Sequence, residues 1–190
     1  MNYHERRYRH THSRIRETFE KLILELPFRD VSVTHLCTEA CINRKTFYLH
    51  YESMEALMEE LIDEMVCQIQ KFLEQSQTGI STPVMEGKLE GFFCLLSQRQ
   101  ELHKRLICSP DYAFAFHRIT DKLAQYNAEY THMADVPDQF FQQVVTRFLT
   151  SSVMPIYRDW LMAGKPVSEK QLAAYVEKLM LHGLNSMIDT

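Results

Sequence analysis

Glycine and proline are both scarce, 5 and 6 residues in a chain of 190. So little turn-forming material argues against an architecture of many short strands, and no low-complexity tail or internal repeat is visible. Cysteine occurs only five times, at positions 37, 41, 67, 94 and 108. That count is odd, and most of these thiols sit inside helix-periodic segments, which fits reduced cysteines in a cytosol and not a disulfide framework. A long hydrophobic run is missing as well. The longest apolar stretch free of charge, Phe148 to Tyr157, is about half of what a bilayer span requires. Met1 is followed by Asn-Tyr-His-Glu-Arg-Arg, without the apolar core of a secretory signal. These absences lead to the expectation of a soluble, cytoplasmic protein.

The signatures of common catalytic sites are also lacking: there is no G-x-G-x-x-G, P-loop, nucleophile elbow or H-E-x-x-H. The nearest thing to a metal cluster is His35 and Cys37 with Cys41, and no second pair completes four ligands. No enzyme activity, cofactor or metal is expected.

What the chain does have is an uneven charge. The formal net charge of −4 argues, taken whole, against nucleic acid. Yet residues 1–50 carry nine Lys/Arg against six acids, for +3, with five histidines besides. Residues 51–75 carry seven acids against Lys71 alone, for −6, and the remainder comes to −1. A basic end followed by an acidic segment is more informative than the total. Glu55, Glu59, Glu60, Asp63 and Glu64 read as a solvated acidic helix face that leaves only the basic end attractive to a polyanion.

Apolar residues recur at helical spacing throughout, and no alternating strand is found. Ile15, Phe19, Leu22, Ile23 and Leu26 form one stripe that ends at Pro27. Ser32 is placed to cap a short helix through Ala40, and Asn43 another through about His50. Leu57 to Leu73 marks a long amphipathic helix from about Met54 to Ser76, roughly 35 Å at 1.5 Å per residue. A loop is expected between Gln75 and Pro83. Further helices follow at about Val84–Ser97, Glu101–Cys108 and Tyr112–His132, then a break at Asp135-Val136-Pro137-Asp138. A long helix from Phe140 to Leu161 contains Pro155 and stops at Gly164-Lys165-Pro166. Ser168 with Gln171 makes a capping box for the last helix. The expected fold class is all-α, with an amino-terminal unit over 1–53 and a carboxy-terminal unit over 54–190.

The two short helices, joined by Ala40-Cys41-Ile42-Asn43, have the dimensions of a helix-turn-helix. On a helical wheel Phe47 and Tyr51 share the inner face of the second helix. Lys45, Thr46, Tyr48 and Leu49 point outward with Arg44 and His50 flanking, a set suited to phosphate oxygens and base edges. Arg6, Arg7 and Arg9 form a basic arm upstream, expected to be mobile, that would add phosphate affinity.

The run from Phe28 to Tyr51, with its Thr46-Phe47-Tyr48-Leu49-His50-Tyr51 core followed by an acidic long helix, resembles the helix-turn-helix block of TetR/AcrR-family transcriptional regulators. The resemblance covers residues 10–65 by motif and the rest by layout. It implies an operator-binding homodimer and a carboxy-terminal helical domain whose ligand sets the spacing of two recognition helices. Carried across by position, Thr34 and Thr46 would lie near phosphates or bases, Arg44 and Lys45 near base edges, and Tyr48 and His50 on the backbone. Two positions depart from the family pattern. Cys41 stands where glycine is usual in the turn, which implies a side chain at an awkward φ. Met54 stands where a phosphate-contacting lysine is common.

For the carboxy-terminal part, the wide stripe of the last two long helices exceeds one narrow seam. Phe141, Val145, Phe148, Ser152, Ile156, Trp160, Val176, Leu179, Met180 and Leu184 are the candidates for a twofold dimer interface. Phe92, Phe93, His103, Tyr112, Phe116, His117 and Tyr126 are the candidates for an effector pocket. The function expected is a ligand-responsive DNA-binding regulator, most simply a dimeric repressor released by a small-molecule effector. The alternative is a TetR-like co-activator or protein-interaction module that needs a partner subunit.

Overall fold

A computed structural model describes residues 3–75, 88–130 and 139–188. Among these residues there are nine α-helices and no strand. They are α1 (Tyr3–Glu25), α2 (Val33–Glu39), α3 (Arg44–Tyr48), α4 (Met54–Gln75), α5 (Lys88–Ser97), α6 (Gln100–Cys108), α7 (Ala113–Tyr130), α8 (Gln139–Met162) and α9 (Glu169–Ile188). The all-α expectation holds, and most helix ends fall within a few residues of where capping and proline chemistry put them. The expected loop beyond Gln75 and the break at Asp135–Asp138 lie outside the described residues. No helix among those described is long and apolar enough to cross a membrane.

The largest departure is at the amino terminus. The basic arm is not a separate mobile strand of chain but the first turns of α1, which begins at Tyr3. The reason is a continuation of the apolar stripe: Tyr8 and His12 precede Ile15 and Phe19 at spacings of four, three and four, on one helix face. Tyr8 and His12 then pack on the end of α3.

Local chemistry fixes the short helices. The Ser32 hydroxyl accepts the His35 N–H at 3.2 Å and starts α2. The Asn43 carboxamide oxygen accepts both the backbone N–H and the hydroxyl of Thr46, at 2.7 and 2.9 Å, and starts α3. Between them, the N–H of Ile42 returns to the Cys37 carbonyl at 3.0 Å and that of Cys41 to Thr38 at 3.1 Å. This pair of bonds is the Schellman ending, which demands a left-handed residue. Cys41 supplies it at φ 48°, so the strained side chain expected in this turn is present. The same ending closes α8, where Lys165 N–H reaches Trp160 and Gly164 N–H reaches Leu161, with Gly164 at φ 76°.

α4 is the shared beam. Met54, Leu57, Met58, Leu61, Ile62, Met65, Val66 and Ile69 are buried along it, and one connected apolar core runs from Ile15 to Met180. Its acids are not the free solvated face expected. Glu60 and Glu64 pair with Arg16 of α1, while Glu59 and Asp63 pair with Lys122 of α7 at 2.8 and 2.6 Å. The acids occur in a run because α4 is flanked by cations on both sides; Glu59, Glu60 and Glu64 are half-buried, while Glu55 and Asp63 are exposed.

The joint between the first three helices and the rest is polar. The Tyr112 hydroxyl donates to the carbonyls of Ile23 and Leu26 at 3.2 and 2.7 Å, and Arg105 Nε also donates to Ile23 at 3.0 Å. These are the carbonyls left over at the end of α1, where Pro27 stops the ladder. Burial pushes the Tyr112 phenol up to about 12, so it stays a hydrogen-bond donor. An Arg99–Glu20 ion pair adds a second tie between α1 and the turn before α6.

Candidate nucleic-acid interface

α3 presents its outer face to solvent as its sequence spacing requires. Phe47 is fully buried and Tyr51 nearly so, while Arg44, Lys45, Tyr48 and Leu49 are exposed. Tyr48 is 55% exposed, its ring held edge-on against Phe47 with centroids 5.4 Å apart. A phenol fixed this way keeps its hydroxyl outward without the entropy cost of a free side chain. Thr34 is exposed at the start of α2, and Thr46 is half-buried, its hydroxyl already engaged by Asn43. Arg44 and Lys45 stand one turn before Tyr48 and Leu49, which gives two columns of cation above aromatic or aliphatic.

Arg6, Arg7 and Arg9 are exposed on the first turns of α1. Arg9 ion-pairs with Glu5 at 2.7 Å, a surface pair that a phosphate could displace. The structure thus brings Arg6, Arg7 and Arg9 to the same end of the molecule as Arg44, Lys45 and Tyr48.

His50 is placed differently from the rest. Its ring lies against Tyr8 at 4.1 Å between centroids and 5.8 Å from the His12 ring. Its Nδ1 is buried with no hydrogen-bond partner among the described residues. Burial, followed by the neighbouring His12, lowers its pKa below the ordinary 6.5. His50 therefore spends one face fixing α1 against the end of α3.

The neighbouring polar cluster was not legible as a set. Tyr51 donates its hydroxyl to Glu60 at 3.1 Å and lies 3.2 Å from His12 Nε2, which is itself 3.1 Å from Glu60. Burial, reinforced by the Glu60 charge, pushes the Tyr51 phenol far up. Arg14 donates to the Cys41 carbonyl at 3.2 Å, tying α1 to the strained turn. The spacing of Tyr8, His12 and Ile15 was the available signal for this packing, because it extends the inward stripe of α1.

Met54, at the position of the missing lysine, is buried in the core and offers nothing to a phosphate.

The candidates for an effector pocket divide between core and surface. Phe92, Phe93, His103 and Tyr112 are buried in the core. Phe93 stacks on Tyr157 at 5.2 Å, His103 Nδ1 pairs with the Leu96 carbonyl at 2.7 Å, and Tyr112 serves the joint with α1. Phe116 is half-buried under the Arg158 guanidinium at 5.1 Å, His117 is exposed, and the Tyr126 hydroxyl donates to Glu74 at 2.8 Å. An open groove of about 710 Å³ lies instead between α7 and α8, lined by Asp121, Gln125, Val144, Arg147, Phe148 and Ser151 among others. None of the seven candidates lines it.

The apolar residues left on the surface overlap in part with those expected. Trp160, Val176 and Met180 are buried within the protomer. Ser152 and Ile156 are half-buried, Phe148 and Leu179 are exposed, and the side chains of Phe141, Val145 and Leu184 lie outside the described residues. Among the described residues, the exposed large apolar side chains are Phe140, Val144, Phe148 and Met162 on α8 and Tyr175 and Leu179 on α9. Phe148 and Leu179 are among the residues expected, whereas Phe140, Val144 and Tyr175 are not, because a broad apolar stripe does not resolve which neighbour faces out.

No family model matches the chain, and no curated protein matches it in sequence. Solved structures do match in shape. A TetR transcriptional regulator from Streptococcus agalactiae 2603V superposes with a TM-score of 0.65 at 23% identity, covering 93% of this chain and 96% of that one. NalD, the secondary repressor of the MexAB-OprM multidrug efflux pump in Pseudomonas aeruginosa, gives 0.68 at 16% identity, covering 92% and 95%. The transcriptional regulator FadR from Bacillus subtilis, in complex with stearoyl-CoA, gives 0.65 at 15% identity, covering 90% and 98%. From the helix-turn-helix to α9, the chain has the fold of the TetR-type transcriptional regulators.

Proposed function

We propose that this chain is a homodimeric, sequence-specific DNA-binding transcriptional regulator of the TetR/AcrR type, with a DNA-reading head over 1–53 and an effector-binding, dimerising body over 54–190. The observation that carries the reading is the outer face of α3. Arg44, Lys45 and Tyr48 are exposed on a helix locked by the Asn43 cap, with Phe47 and Tyr51 rooted in the core beneath. Such a helix can enter a major groove without reshaping itself. Arg6, Arg7 and Arg9 on the same end supply phosphate affinity, and Thr34 is placed at the backbone. The regulators of this fold named above support the reading by shape.

Two heads must act together, because one small module reading one half-site binds weakly. The exposed residues of α8 and α9 support a second copy of this chain as the occupant of that face. Recognition helices of a dimer serve successive grooves when about 34–36 Å apart, so an effector that changes the spacing by several ångströms would release DNA. Repression relieved by a small molecule is the simplest form of this device, and it fits a protein working in the cytoplasm without catalysis.

The test is a gel-shift titration of the purified chain on the DNA upstream of its own gene, over a range of salt. Affinity should fall steeply with salt as phosphate contacts are lost. Tyr48→Ala should weaken binding by about tenfold to a hundredfold while the melting temperature holds, since the ring is exposed. Equal affinity of variant and parent would remove Tyr48 from the interface, and salt-insensitive or absent binding would defeat the reading. A thermal-shift screen identifies the effector, because a ligand of the folded state raises its stability.

A further inference from the structure

Leu49 has no role in the fold. It is 70% exposed at the end of α3, beside Tyr48 and one turn beyond Lys45. Its backbone is nonetheless fixed: its N–H bonds to the Lys45 and Thr46 carbonyls at 3.2 Å each, and its φ and ψ of −76° and −17° are helical. The core beneath α3 is filled by Phe47 and Tyr51 without it. A rigidly held leucine thus stands on a surface otherwise made of Arg44, Lys45, the Thr46 side chain and the Tyr48 phenol.

The exposed leucine stands out because every neighbour can hydrogen-bond a phosphate or a base edge and it cannot. In the major groove, almost everything presented is a hydrogen-bond donor or acceptor. The exception is the C5-methyl group of thymine. An aliphatic side chain laid on any other edge would desolvate polar atoms without replacing their bonds. We propose that Leu49 is a specificity-determining residue that packs on a thymine methyl, so that each half-site contains a T·A pair read through that methyl. The inference rests on the DNA-binding reading above and names one base pair of its target.

The experiment uses the full-length protein and the segment of upstream DNA that it protects from cleavage. Each thymine of a half-site is replaced in turn by deoxyuridine, which removes the methyl and leaves every hydrogen-bonding group. One position should weaken the parent protein by about fourfold, the weight of one buried methyl group. Leu49→Ala should bind the natural site more weakly by a similar factor and show no further loss at that same position. Its salt dependence should match the parent's, because no phosphate contact is removed. An unchanged melting curve for Leu49→Ala shows that folding is intact, and Leu49→Gln, soluble and of similar length, should share the loss of methyl sensitivity. Salt-dependent binding with no methyl-sensitive position overturns the inference alone, as does a Leu49→Ala protein that still senses the methyl. Absence of any salt-dependent binding by the parent overturns the DNA-binding reading and the inference together.

Discussion

The two ends of the molecule show water opposite chemistries. At the α3 end the exposed side chains include Arg44, Lys45 and the Tyr48 phenol, with Leu49 beside them, held by short capped helices over a small aromatic floor. On α8 and α9 they include Phe140, Val144, Phe148, Tyr175 and Leu179, apolar or aromatic, interspersed with Gln143, Arg147 and Lys178 on two long helices. A cationic surface is stable alone and gains from a polyanion. An apolar face of that size is a cost to a lone protomer and gains from another apolar face. The difference separates two tasks. In the proposed dimer, one end recognises and the other multiplies recognition by pairing copies, which is why modest charge at each head would suffice.

The strongest way to break that division is to charge the apolar face. Phe148 and Leu179 are 54% and 71% exposed, so Phe148→Glu with Leu179→Glu should leave the protomer folded. In a twofold dimer each substitution appears twice, and the interface would have to bury four carboxylates. The variant should sediment as a monomer, and operator affinity should fall at least about a hundredfold through lost avidity. A double variant that still sediments as a dimer with full affinity would show that the copies pair elsewhere.

The same comparison explains what could be read from sequence. At the head, single residues carry sharp rules: Ser32 and Asn43 cap, Pro27 stops, Phe47 and Tyr51 alternate with polar neighbours, and each rule points to one geometry. Cys41 was legible in the same way, as a side chain in a turn that wants glycine. In the body, breadth defeats precision. α8 and α9 are apolar around more than half their circumference, so spacing alone could not tell Val176 and Met180, which face inward, from Tyr175 and Leu179, which face out. The acids of α4 illustrate a third limit. Nothing in the local sequence of Glu59 and Asp63 announces Lys122, far along the chain on α7, as their partner. In the first turns of α1 the density of charge masks the inward spacing of Tyr8 and His12.

Acid should act on both halves, through one imidazole in each. His50 is held under Tyr8 at the head, and His103 is buried in the body against the Leu96 carbonyl. Burial is the leading cause that lowers both below the ordinary 6.5, outweighing the Leu96 bond at His103. In the unfolded chain both take up protons near that ordinary value, whereas the folded protein resists them. The unfolded state therefore binds more protons in acid, and their contribution is fully present above about pH 6.5 and lost as pH falls below it. Melting temperature measured from pH 8 down to 5 should be level and then decline. His103→Gln, which can keep a hydrogen bond to Leu96, should flatten part of the decline. An equally steep decline in that variant would place the acid-sensitive group elsewhere.

The smallest expected effect compares one turn drawn twice. α2 and α8 both close with the Schellman pair of bonds, but the left-handed position is Cys41 in the head and Gly164 in the body. A residue with a Cβ in that region costs roughly 1–2 kcal/mol, while glycine returns roughly 0.5–1 kcal/mol of that advantage through its freer unfolded chain. Cys41→Gly should therefore stabilise the protein by about 0.5–1 kcal/mol, a rise of about 2 °C in melting temperature for a chain of this size. Arg14 donates to the backbone carbonyl of residue 41, not to its thiol, so that tie survives the substitution. Operator affinity should stay within about twofold, because the change relieves strain without moving the bonds that define the turn. A loss of stability on Cys41→Gly would mean that the exposed thiol makes a favourable contact that outweighs its backbone strain, and the head would then owe its geometry to that side chain.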